Sequence, residues 1–230
     1  MEKYLIATTK SWNIENAKQM IRQKKDTEIS MITSPDQLKI DFLERLKPRY
    51  IFFPHWSWII PREIYQNYEC IVFHMTDLPF GRGGSPLQNL LVRGIYTTKI
   101  SAIKANEGID TGDVYFKETI DISTGNADDI LKRVSEVVFG TMIPRLISES
   151  IHPTAQSGEA VVFKRRNAEQ SEIPEGLSQR QLYDYIRMLD GEGYPNAFIR
   201  TDSGRILFSG ATFENGEVTA NARFVEERND

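Results

Sequence analysis

Four short strand-like runs, separated by segments with helix-forming chemistry, constrain the fold of the first hundred residues more than any other feature. Tyr4-Leu5-Ile6-Ala7 leads into residues 13–24, where Ile14, Ala17, Met20 and Ile21 fall on one helical face. Residues 28–33 read as a second strand. Ser34-Pro35-Asp36-Gln37 then puts Ser at an N-cap, Pro at N1 and Gln at N3, so that two side chains satisfy backbone N–H groups at a helix start. Leu38, Phe42, Leu43 and Leu46 continue that helix to Pro48. Residues 50–53 and 70–73 are further apolar strands, and Ser85-Pro86-Leu87-Gln88 repeats the capping pattern before a helix through Val92. Strands that are apolar throughout need cover on both faces, so the expected fold is α/β with a mostly parallel sheet.

Beyond this core, residues 97–105 and 114–122 read as strands around the loop Gly108-Ile109-Asp110-Thr111-Gly112-Asp113. A long amphipathic helix is expected over residues 126–147, kinked by Pro144. After the polar stretch Gln156-Ser157-Gly158 the pattern changes to a strand at 161–163 and a helix at 178–189, started by a Ser178/Gln181 capping box. Two short strands follow, punctuated by turns at Asp202-Ser203-Gly204 and Asn215-Gly216. The expected organisation is a main domain, 1–155, and a small α+β subdomain, 156–230.

Charge and cysteine content narrow the setting. The chain has 28 Lys+Arg against 32 Asp+Glu, a formal net charge of −4, and no basic tail, so no nucleic-acid partner is expected. The lone Cys70 excludes an internal disulfide and a cysteine-based zinc site, and suits a reducing compartment. The greasiest stretch, residues 50–60, is broken by Pro54, His55 and Ser57, which rules out a membrane span there. The amino terminus lacks the apolar core of a secretion signal. A cytoplasmic protein is expected. Neither the histidine–carboxylate spacing nor the cysteine count offers a metal site.

Ligands of open α/β sheets sit beyond the carboxyl ends of the strands. Residues 8–13 occupy such a place, and free backbone N–H groups at a helix start together with Lys10 suit a phosphate, although Asn13 could equally serve only as a helix cap. His74-Met75-Thr76-Asp77-Leu78-Pro79-Phe80-Gly81-Arg82-Gly83-Gly84 follows the fourth strand. It joins a histidine, useful for proton transfer near neutral pH, to a loop whose glycines let a ligand approach the backbone.

The ordered set His74, Pro79, Arg82, Gly83, Pro86 and Asp110-Thr111-Gly112-Asp113 resembles the 10-formyltetrahydrofolate-dependent formyltransferases over roughly residues 1–150. That resemblance implies a Rossmann-like catalytic domain, 10-formyltetrahydrofolate as formyl donor, and His74 and Asp110 as catalytic pair. It implies donor binding between Trp58, Ile59 and Ile60 and the loop bearing Gly108, Ile109 and Asp113. Lys10, Ser11, Asn13, Arg82, Gly83 and Arg187 are then the expected acceptor-binding residues. The tail, through Phe163-Lys164-Arg165-Arg166 and Gly193-Tyr194-Pro195-Asn196-Ala197-Phe198, looks like the short subdomain of nucleotide-sugar N-formyltransferases. It implies a UDP-linked 4-amino-4,6-dideoxy sugar as acceptor, feeding surface polysaccharide, and leaves room for a homodimer. Methionyl-tRNA or glycinamide ribonucleotide as acceptor, and a non-catalytic folate or nucleotide binder, are the alternatives. One departure stands out. The family carries Asn two residues before the histidine, and here that position is Val72, which leaves Asn89 or a loop N–H as a substitute donor.

Overall fold

The computed structural model describes residues 1–24 and 26–226. Its central sheet has six strands: β1 (Lys3–Ala7), β2 (Glu28–Ile32), β3 (Tyr50–Pro54), β4 (Cys70–His74), β6 (Thr97–Lys104) and β7 (Val114–Asp121), in the order β2-β1-β3-β4-β6-β7. The short strand β5 (Phe80–Gly83) lies outside this sheet. β1 pairs in parallel with β2 and with β3, and β3 in parallel with β4, whereas β4 and β6 are antiparallel. Every residue of β3 is buried, as are Tyr4–Ala7 of β1, which is the burial expected of strands covered on both faces. This is the Rossmann-like α/β fold with a mainly parallel sheet.

The helices α1 (Ser11–Gln23), α2 (Ile40–Leu46), α3 (Arg62–Asn67) and α4 (Pro86–Val92) connect these strands. The Ser34 capping box forms, though around a 3₁₀ turn, Pro35–Gln37, rather than at the start of a continuous helix. α2 begins after it and stops at Lys47, whose φ of 52° takes the left-handed C-cap conformation just before Pro48. At Ser85 the capping expectation fails. The residue adopts φ 51°, its hydroxyl caps nothing, and its Oγ accepts instead from the Arg166 backbone N–H. The helix expected over 126–147 is interrupted: α5 (Ala127–Val137) passes into a π-helical turn, Val138–Met142, and then α6 (Ile143–Ser148). Pro144 sits in the first turn of α6, where its missing N–H is tolerated, and the wide turn lies just ahead of it.

The chain clusters into two compact units. The first comprises 1–82, 99–120 and 132–162, so the expected boundary at 155 falls inside it; the second takes 83–98, 121–131 and the tail from Phe163 onward. Within the first, Leu5, Ala7, Leu43, Ile51, Phe53 and Ile64 form a buried apolar cluster. After β8 (Val161–Phe163), the second unit holds α7 (Gln179–Arg187), capped by the expected Ser178/Gln181 box, and an antiparallel sheet of β9 (Ala197–Thr201), β10 (Gly204–Glu214) and β11 (Glu217–Glu226). Both turns predicted from sequence join these strands, but there are three strands rather than two, and β10 and β11 are long. Residues 227–230 of the expected subdomain lie outside the described residues.

Candidate active site

Strand order reverses between β1 and β3, one neighbour of β1 lying on each side, so their carboxyl ends frame the crevice such sheets offer to ligands. Thr8 and Asn13 tie the two strand ends together. Thr8 Oγ1 donates to the Pro54 carbonyl at 2.8 Å, and Asn13 Nδ2 donates to the same oxygen at 3.3 Å. Asn13 is 2% exposed. It is neither the cap of α1, which begins at Ser11 behind Lys10, nor an accessible ligand residue; the expectation that it binds acceptor is corrected to a structural tie. Lys10 and Ser11 stay near the surface, with Lys10 Nζ 5.5 Å from the Trp12 ring centre. His55, at φ 52°, meets Trp12 edge-on, and burial, then the Lys10 charge, push its imidazole down to about 4.

His74 ends β4, one strand further along. Its Nε2 lies 2.7 Å from the Gly81 carbonyl oxygen and its Nδ1 3.5 Å from Asp110 Oδ2. Neither neighbour can donate as it stands, so each ring nitrogen is satisfied only while it carries a proton. The two side chains are 9% and 13% exposed, which strengthens their interaction relative to a surface pair. The loop that brings Gly81 back to His74 is held at several points. Ser101 Oγ donates to the Thr76 carbonyl at 2.7 Å, and Thr76 Oγ1 donates to Gly81 O at 3.3 Å. Lys99 and Lys117 both pair with Asp77, and Lys117 also donates to the Leu78 carbonyl. Burial alone would raise the Asp77 carboxyl, but the two lysines outweigh it and hold the group below its ordinary value. Gly81 and Gly83 have φ of 80° and 98°, a region that side chains avoid.

Asp110 reaches His74 from a loop whose sequence is explained by its backbone. A Cβ on Gly112 would stand 1.6 Å from the Lys104 carbonyl oxygen, so the loop is pressed against the end of β6 too closely for any other residue. Asn106 Oδ1 accepts from the Gly108 N–H at 3.1 Å and from Thr111 Oγ1 at 2.8 Å. Asp110 itself has φ 55°, uncommon for a residue with a side chain. Gln156, which the sequence marked only as part of a polar stretch, closes the structure: its Nε2 donates to the carbonyls of Asp110 and Gly112, each at 2.8 Å. Its Oε1 accepts from Arg82 Nε at 3.0 Å and Nη2 at 2.8 Å.

The other expected residues divide. Trp58, Ile59 and Ile109 are exposed, at 46%, 86% and 70%. Trp58 leans on Trp56 with ring centres 5.1 Å apart, and Ile60 packs against the apolar cluster of the first unit. Gly108 and Asp113 are exposed; the Asp113 carbonyl accepts from the Lys104 N–H. Arg82 is held by Gln156, and Gly83 ends β5. Arg187 is corrected outright. It is 1% exposed in the second unit, where Nε donates to Asp184 Oδ1 at 2.7 Å, Nη1 to Gly125 O at 2.9 Å and Nη2 to Ile122 O at 3.0 Å, so it is a buried core residue bonded within its own unit. Asn89 is committed too: its Nδ2 donates to the carbonyls of Gly84, Ser85 and Lys164. Among the described residues no group of three His, Cys, Asp or Glu is placed to hold a metal ion, and no helix is long and apolar enough to cross a membrane.

Comparison with known proteins bears on the family rather than on single site residues. Residues 7–146 match the family described as formyl transferase, and residues 168–225 match the family described as methionyl-tRNA formyltransferase, C-terminal domain. A methionyl-tRNA formyltransferase of Caldicellulosiruptor saccharolyticus is 31% identical over 170 residues, covering 69% of this chain and 54% of that protein. The chain spans about half the length of the curated relatives it matches. The structure of a methionyl-tRNA formyltransferase from Clostridium thermocellum is 52% identical, with a TM-score of 0.95 over 98% of this chain and 100% of that one. A sugar N-formyltransferase from a Shewanella species shares the fold at 14% identity and a TM-score of 0.67, each chain covered in full. These similarities overturn two expectations. The acceptor read from the tail, a nucleotide sugar of polysaccharide synthesis, gives way, because relatives at 31–52% identity are named for methionyl-tRNA. The exclusion of nucleic acid falls with it. A net charge of −4 sums over the whole surface and says nothing about where individual cations stand.

Proposed function

We propose, from the premise that the chain belongs to the formyltransferase family, that it transfers the formyl group of 10-formyltetrahydrofolate to the amino group of methionyl-tRNA, in the cytoplasm. The observation that carries the chemistry is the His74–Asp110 pair, nearly enclosed at the carboxyl end of β4. The acceptor rests on the relatives named above. Residues 1–155 are read as the catalytic part, which the family match over 7–146 supports.

The donor supplies an electrophilic formyl carbon bonded to nitrogen. The reaction forms a bond from the amine nitrogen to that carbon, breaks the carbon's bond to the donor nitrogen, and moves one proton from the first nitrogen to the second. His74 is placed to carry that proton. With the Nδ1 proton held toward Asp110, Nε2 is the nitrogen left to accept, once it gives up the Gly81 carbonyl. Asp110 fixes the ring and stabilises its charged form while the proton is on it. Trp58, Ile59 and Ile109 offer the exposed apolar surface that would seat a pterin, and the 108–113 loop the polar backbone groups that would read its edge.

The test is direct. The full chain is incubated with 10-formyltetrahydrofolate and methionyl-tRNA, and N-formylmethionine is measured after the ester is cleaved. Formation that depends on both substrates is expected; tetrahydrofolate release without formylated tRNA would refute the acceptor.

A further inference from the structure

We infer that Gln156 is a positioning residue for His74, a side chain bonded to both segments that engage the imidazole. It rests on the reading of His74 and Asp110 as the proton-handling pair. One segment supplies Gly81 O to Nε2, and the other supplies Asp110 Oδ2 to Nδ1. Gln156 grips the first through the side chain of Arg82, the next residue, and the second through the carbonyl of Asp110 itself and that of Gly112.

Its orientation is fixed by chemistry. A guanidinium only donates and a carbonyl only accepts, so the amide oxygen must face Arg82 and the amide nitrogen the 110–112 loop. All four bonds fall between 2.8 and 3.0 Å. The loop needs such a hold. Asp110 keeps a left-handed φ of 55°, which persists only where surroundings impose it. Gly112 is pinned on one side by the Lys104 carbonyl, and the paired Nε2 bonds secure the same stretch of backbone through its own carbonyls. Arg82 and Gln156 are 74 residues apart, and Gln156 and Asp110 are 46 apart, so only the folded chain makes this bridge.

Two substitutions separate the bonds from the bulk. Gln156→Leu removes all four. Gln156→Glu keeps the shape and still accepts from Arg82, but cannot donate to the two carbonyls. The readout is the pair of imidazole ¹⁵N shifts of His74 at fixed pH in the full-length protein. The chain has three histidines, and the His74 signals are assigned by their loss in His74→Gln. Asp110→Asn defines the shift that follows from losing the carboxylate. Both Gln156 variants should move the His74 signals in that same direction while those of His55 and His152 stay in place, and kcat should fall about tenfold to a hundredfold, the usual consequence of misplacing a catalytic group by an ångström. His74 signals that superimpose on the wild-type spectrum in the variants would overturn the inference. Should Gln156→Leu fail to fold, the near-isosteric Gln156→Glu decides between the two outcomes. The spectrum needs no acceptor, so a wild-type enzyme inert toward methionyl-tRNA would retire the proposed function and leave the shifts to test Gln156.

Discussion

Replacing Arg187 with Met distinguishes a core arginine from a ligand-binding one. Met follows the same path and fills much of the volume, so the cavity contribution is small. What disappears is a 2.7 Å charged bond to Asp184 Oδ1 and two bonds to the carbonyls of Gly125 and Ile122, all at a residue 1% exposed. Breaking a buried pair by removing one partner costs about 3–5 kcal/mol. The low end applies here, because Asp184 Oδ2 still accepts from Tyr96 at 2.6 Å and Arg180 at 3.2 Å, so the carboxylate is not left alone. The expected loss is about 3 kcal/mol in urea unfolding, with the slope against urea unchanged. Asp184→Asn should cost less on the Arg187→Met background than alone, because the Asp184–Arg187 bond is then already gone. A loss under about 1 kcal/mol, or a drop in kcat/KM with stability intact, would refute the reasoning and return Arg187 to the ligand.

Three further outcomes follow from the same geometry. His74→Gln should lower kcat about 10²- to 10⁴-fold, the range for losing a positioned acid–base group, with the melting temperature nearly unchanged. In Gly112→Ala, a Cβ 1.6 Å from the Lys104 oxygen, less than half an ordinary contact distance of about 3.5 Å, must displace the Asp110 loop; kcat should drop by about a hundredfold. His55, held neutral with its imidazole at about 4 against an ordinary value near 6.5, favours the unfolded chain as soon as protons bind there. Its contribution is therefore complete above about pH 6.5 and is lost as pH falls toward 4, by up to about 1.4 kcal/mol per unit. His55→Asn, which tolerates the left-handed backbone, should flatten that slope in unfolding measurements across the window.

Local chemistry made much of the fold legible. The central strands β1, β3 and β4 are apolar runs, and the boxes at Ser34 and Ser178 form because cap and partner lie three residues apart, a spacing that belongs to the local chain alone. His74 and Asp110 were legible through an ordered motif, and the steric reason for Gly112 became visible only with the Lys104 carbonyl beside it. The misreadings of single residues share one cause: their partners are remote in the chain. Arg187 looked like a free cation at a helix end, but the carbonyls it meets are 62 and 65 residues away. Gln156 reads only as part of a polar stretch, with partners 44 to 74 residues away. Ser85 carries a proper capping pattern and still turns left-handed, where its hydroxyl meets a backbone N–H 81 residues on. The acceptor failed for another reason: a short tail and a whole-chain charge are averages, and neither specifies a binding surface.

Val72 shows how the sheet itself redistributes the chemistry. Residues two apart in a strand share a face, so Val72 and His74 point the same way from β4. Val72 pairs with Phe53 on one side and Ile103 on the other, and it packs half-buried against the cluster of Leu5, Ala7 and Ile51. An amide at this position would have to leave apolar neighbours to meet a ligand. Asn89 does not replace it, since its own amide donates to three carbonyls and its Oδ1 accepts from Arg93. In the proposed reaction the imidazole and the backbone of the glycine-bearing loop are the donors assigned to a developing oxygen. A single oxyanion donor counts for about a hundredfold to a thousandfold in rate, so the burden on His74 is greater here than where an asparagine shares it. A ring that must both donate toward oxygen and relay the amine proton can do so only in sequence. In the proposed reaction its charge must be stabilised between the two events, and Asp110, which we infer Gln156 helps to set in place, is the group assigned to do it.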